Sequence, residues 1–228
     1  LDWDLWLGPA PYRPYNSVYL PTEWRRWRDF GTGTLGDMGC HIIDPVFWAL
    51  DLVYPESVEA QPAEFNDETY PEAMRVRWEF AARGELPPVT VTWCDGVNRP
   101  FLPKELEPGR KLPKEGGIYY GEKGIILAPH MGGPRLIPES RMRGFKAPEP
   151  FLPRGIDHYQ QWIRACKGGL KPSADFDYAG PLTETILLGN VAARIGRRIF
   201  WDGPNFKITN VPDAEKYLKR QYREGWML

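Results

Sequence analysis

Between residues 73 and 82 the sequence AMRVRWEFAA alternates without a break. Met74, Val76, Trp78 and Phe80 fall on one side of an extended chain, Arg75, Arg77 and Glu79 on the other. Period two with one apolar side describes a half-buried strand of an antiparallel sheet. The stretch 88–96, PVTVTWCDG, alternates in the same way and ends on Asp95-Gly96, a turn signal. Residues 57–65 alternate around a proline, 117–129 read as two strands joined at Gly121-Glu122-Lys123-Gly124, and PRLIPES allows one short strand more.

The last third reads differently. Asp157 is placed to cap the helix HYQQWIRACKGG, which stops at Gly168-Gly169. Residues 177–198 carry the apolar spacing of a helix laid on a sheet. A strand at RIFWD and a final helix over 213–224 follow. Strands grouped together and helices grouped together predict an α+β fold: an open-faced, mainly antiparallel sheet with helices on one face. The strands lack a strongly polar second face throughout, so that face is expected to be an oligomer interface, in a homodimer or homotetramer.

Residues 1–30 hold Pro9, Pro11, Pro14 and Pro21, which forbid a long helix, and are predicted to be an extended aromatic arm. Residues 31–228 are read as one substrate-binding and oligomerisation domain.

The chemistry concentrates in 31–44, GTGTLGDMGCHIID. A helix is predicted over 34–50, with a kink or break near Asp44 because Pro45 has no N–H for the carbonyl of His41. Asp37 and His41 then share a face one turn apart, and Asp44 extends the stripe. A carboxylate beside an imidazole can share a proton, bind a metal or hold a polar substrate. A single ion shared by Asp37, His41 and Asp44 is the less favoured option, because no other histidine is near in sequence; no metal is expected. His130 and His158 are lone histidines; His158, beside Tyr159 at a helix start, is within reach of a pocket, but a structural role is the favoured reading. Gly31, Gly33 and Gly36 spell G-x-G-x-x-G, yet the preceding EWRRWRDF is charged and aromatic and holds no apolar strand. The dinucleotide reading fails without that strand, and the glycines are read as a turn leading into a helix.

Composition removes whole classes of function. The 228 residues carry a net charge of -1, so no electrostatic attraction to nucleic acid or to acidic membranes is expected. No apolar run approaches a membrane span. The chain opens LDWDLWLGPAP, with no signal-peptide pattern and no initiator Met, and reads as a fragment or processed product. The compartment stays open. Cys40, Cys94 and Cys166 fit free buried thiols better than a disulfide or zinc framework.

The runs WRRWRDFGTGTLGDMGCHIIDPVFWAL, SVEA, HYQQWIRACKGG and FDYAGPLTETILLGNVAARIG together resemble the C-terminal domain of Gfo/Idh/MocA-type oxidoreductases, named for glucose–fructose oxidoreductase and inositol dehydrogenase. The resemblance implies an NAD- or NADP-dependent enzyme acting on a sugar or cyclitol, with its cofactor in an N-terminal Rossmann domain that this sequence lacks. No cofactor-binding residue is therefore expected on this chain. Carried over, His41 matches the family's acid/base residue and Asp37 its substrate-orienting carboxylate; a catalytic lysine normally lies in the Rossmann half. Trp24, Arg25, Asp44 and Tyr159 are further candidates for substrate contact, on aromatic and polar chemistry suited to polyols. Two other functions fit the same scaffold: a glycosidase that uses the cofactor transiently, and a non-catalytic carbohydrate-binding or assembly module.

Overall fold

The computed structural model describes residues 1–152 and 154–226. The strands fall into two sheets. A five-stranded sheet has the order β3-β2-β1-β7-β8, built from β1 (Ser57–Pro62), β2 (Met74–Phe80), β3 (Val89–Cys94), β7 (Ile199–Asp202) and β8 (Lys207–Ile208). A three-stranded sheet has the order β4-β5-β6, from β4 (Gly116–Gly121), β5 (Gly124–Pro129) and β6 (Arg135–Ile137). Every strand pairing is antiparallel.

The alternation in β2 sets the register. Val58 lies opposite Trp78 and Ala60 opposite Val76 on the buried face. On the other face Glu59 lies opposite Arg77, Arg77 opposite Thr92, and Glu79 opposite Thr90. Ion pairs Arg77–Glu79 and Arg198–Glu59 and a hydrogen bond from Thr90 to Glu79 run across it. The outer face is therefore polar, contrary to the expectation from sequence. Cross-strand pairing places β3's threonines beside the charges of β2.

Two compact units emerge. One comprises Leu1–Cys40, Asp44–Pro100 and the chain from Leu182 onward; the other comprises His41–Ile43 and Phe101–Pro181. In the first, α2 (Gly33–Ala49, apart from His41–Ile43) and the main length of α4 (Phe176–Ile195) lie on the buried face of the five-stranded sheet. Trp78 is 0% exposed and donates its indole N–H to the carbonyl of Thr185 on α4 at 2.7 Å. A Cβ at Gly189 would stand 2.6 Å from Leu35 of α2 and 3.2 Å from Trp78. Only glycine permits so close an approach, and the two helices and β2 meet there. Helices on one buried sheet face are what an α+β reading of the chain requires. The second unit has a smaller core of Ile125, Leu127 and Ile137, backed by Leu106, Leu112 and Ile118. Its helix α3 (His158–Cys166) is capped by Asp157, which accepts from the N–H groups of Tyr159 and Gln160.

Several expectations are corrected. The helix over α2 does not break at Pro45: it runs on to Ala49. One lost backbone bond is outweighed by burial of Ile43 and Phe47 on either side of the proline. Trp48 of the same helix is exposed. The final helix is shorter and of a different kind, a 3-10 turn over Pro212–Tyr217. Beyond it the chain is drawn off into a strap. Arg220 donates to the carbonyls of Asp29 and Gly31, Arg223 to that of Gly8, and the N–H of Arg223 to Pro9. Residues 1–30 do not run extended throughout; they hold the short helix α1 (Trp3–Leu7) and 3-10 turns at Ser17–Tyr19 and Glu23–Arg26. Their aromatic rings cluster on one another: Trp3 stacks on Trp6 at 4.8 Å, and Tyr19 meets Trp27 and Phe30 at 4.8 and 5.2 Å. Arg13 joins this cluster, pairing with Asp29 and Glu68. The three cysteines are free, as expected, but Cys166 is exposed rather than buried.

Candidate functional site

Helix α2 begins at a crowded turn. A Cβ on Gly31 would lie 2.4 Å from the carbonyl oxygen of Arg25, and one on Gly36 2.1 Å from the hydroxyl of Thr32. Gly33 has φ +68°, and a Cβ there would lie 2.6 Å from the Cβ of Tyr70; one on Gly39 would lie 2.9 Å from Ile186 of α4. The glycines are thus spent on close packing and on one left-handed residue. The carbonyls of this turn are also taken: Asn190 donates to Thr32 at 2.7 Å and Arg220 to Gly31 at 3.1 Å. The segment before the turn is a 3-10 helix with one isolated bridge, Trp27 to Thr69, rather than a sheet strand. A pyrophosphate needs open backbone N–H groups and space left by missing Cβ atoms. These residues do not fit that group.

Past the turn the helix presents its polar stripe. The Asp37 carboxylate forms an ion pair with the Arg25 guanidinium at 3.5 Å, with side-chain exposures of 38% and 45%. The same guanidinium lies over the Trp24 ring, 5.7 Å from its centroid. Trp24, Arg25 and Asp37 therefore form one continuous patch. His41, one turn on, is exposed, and its ring lies 5.9 Å from that of His130, tilted by 53°. Asp37 is tied to Arg25 rather than to His41, which leaves the imidazole available to a ligand. Asp44 is half-buried on the same helix. Tyr159 stands on α3 in the second unit, 67% exposed, its ring 4.0 Å from that of His158. A cleft of 660 Å³ in the second unit is lined by residues such as Tyr120, Lys123 and Arg141, and none of the residues predicted from sequence lines it.

Two neighbours of the stripe carry no local signal in the sequence. His130 follows β5 directly, and its backbone N–H is tied to the carbonyl of Glu115 at 3.0 Å. No local pattern links it to His41. Arg220 holds the turn at the start of α2 from the far end of the chain. Among the described residues no group of three or more His, Cys, Asp or Glu side chains is arranged to hold a metal ion. Among the described residues no helix is long and apolar enough to cross a membrane.

Residues 1–86 match the family model described as the oxidoreductase family, C-terminal alpha/beta domain. Over those residues the chain is similar to the C-terminal domain of the Gfo/Idh/MocA oxidoreductases, a family that is generally NAD(P)-dependent. The match includes Trp24, Arg25, Asp37, His41 and Asp44. No curated protein matches the chain.

Proposed function

We infer that this chain is the substrate-binding half of an NAD(P)-dependent oxidoreductase acting on a secondary hydroxyl of a sugar, glycoside or cyclitol. The observation that carries the reading is the stripe of α2. It offers an exposed imidazole one turn beyond a carboxylate already oriented by a cation, within the stretch that matches the oxidoreductase family. Oxidation of a secondary alcohol requires a base at the hydroxyl proton, and an imidazole is suited to that near neutral pH. His41 takes this proton at one of its ring nitrogens and returns it in the reverse direction. Asp37 accepts from a neighbouring hydroxyl, and the ion pair with Arg25 keeps its carboxylate facing the ligand. Trp24 offers an apolar ring face of the kind that suits the C–H surface of a sugar. A bound nicotinamide would accept the hydrogen on the alcohol carbon as hydride, which balances the proton taken by His41.

The test is turnover by the full-length protein that carries this domain. His41→Ala should lower kcat on a responsive polyol by roughly 10²–10⁴-fold, the usual contribution of a positioned general base. Unchanged turnover would overturn the assignment.

A further inference from the structure

We propose that His130 is a second substrate-binding residue, holding the hydroxyl adjacent to the one that His41 deprotonates, so that the site selects vicinal diols over isolated alcohols. The proposal rests on the role given above to His41. Its basis is the juxtaposition of two exposed imidazoles, 89 positions apart in sequence by their residue numbers, at 5.9 Å between ring centroids.

That separation is informative. Two imidazoles joined by a direct N–H···N bond would have centroids roughly 5 Å apart, given a donor–acceptor distance of about 2.9 Å. These rings stand further off, and no hydrogen bond between them is found. A hydroxyl bonded to a ring nitrogen sits roughly 4 Å from that ring's centroid, and adjacent diol oxygens are about 2.8 Å apart. Two rings at 5.9 Å can therefore each take one oxygen of the same diol. An imidazole can donate or accept, so each meets a hydroxyl in either sense. A monohydric alcohol satisfies one ring only.

His130 is also held as a binding residue must be. It leaves the sheet at the end of β5, where Gly116 pairs with Pro129, and its own N–H is bonded to Glu115. A side chain on the end of a paired strand is more precisely placed than one on a free loop. No salt bridge or hydrogen bond is found at its imidazole among the described residues, so the ring has no structural polar partner to lose.

The sequence holds three histidines, which makes the experiment clean. Imidazole resonances of the full chain are assigned with His130→Gln and His158→Gln and followed by NMR during titration. The probes are cis-1,2-cyclohexanediol and cyclohexanol. The expected result is that the diol shifts the His41 and His130 signals together along one binding curve, leaving His158 in place. Cyclohexanol should shift His41 alone. His130→Ala should weaken diol binding about fivefold, as expected for loss of one hydrogen bond, and leave cyclohexanol unaffected. If the diol moves His41 but not His130, the second-imidazole proposal fails and the role of His41 stands. If neither signal moves, both fail.

Discussion

Trp78 is where the platform beneath α2 is most exposed to perturbation. It is 0% exposed, packs beside Gly189, and bonds to the Thr185 carbonyl at 2.7 Å. Trp78→Phe keeps an aromatic ring on β2 but removes the donor and the outer edge of the indole. Leaving the carbonyl without this partner costs roughly 1–2 kcal/mol. The deleted ring edge, about two buried carbon groups with the void they leave, costs roughly 1–2 kcal/mol more. The sum is about 2–4 kcal/mol. For a chain of this size each kcal/mol lowers Tm by roughly 2–4 °C, so a fall of roughly 4–16 °C is expected. Urea unfolding followed by circular dichroism should show a lower midpoint at an unchanged slope. A change under 0.5 kcal/mol would refute the view that this contact ties α4 to the sheet.

Other perturbations separate packing from chemistry. Gly39→Ala sets a Cβ 2.9 Å from Ile186, which is itself buried, and should cost about 1–3 kcal/mol in thermal unfolding. Arg25→Ala removes an exposed ion pair and should alter stability by less than about 1 kcal/mol. In the full-length protein it should raise the KM for a polyol, because Asp37 loses its orienting cation; an unchanged KM would remove Arg25 from the site. Burial raises the pKa of the Glu184 carboxyl above its ordinary value of 4.5, against an opposing indole hydrogen bond from Trp201. The folded state therefore keeps this proton to higher pH than the unfolded state. Its contribution to stability is most favourable below pH 4.5 and declines as pH rises through the raised value. Glu184→Gln retains an acceptor for Trp201 and should flatten that decline; pH-dependent melting curves matching those of the parent would refute it.

Much of this molecule can be read locally. The strict alternation of 73–82 specifies β2, because a period of two cannot be satisfied by a helix against one core. Asp157 caps α3 where expected, since an N-cap acts on N–H groups two and three residues away. Asp37 and His41 come out one turn apart because a helical repeat alone places them so. In each case the deciding interaction spans a few residues, and the amino-acid sequence by itself determines it. What the tertiary structure decides are the matters of long-range competition. Pro45 stays helical because Ile43 and Phe47 are buried around it. The segment after Tyr217 abandons its helical propensity because arginines 220 and 223 find carbonyls near the start of the chain. The strands split into two sheets because each edge accepts whichever partner the rest of the fold delivers. His130 meets His41 for the same reason: both belong to the second unit, and their proximity leaves no trace in the spacing of the residues.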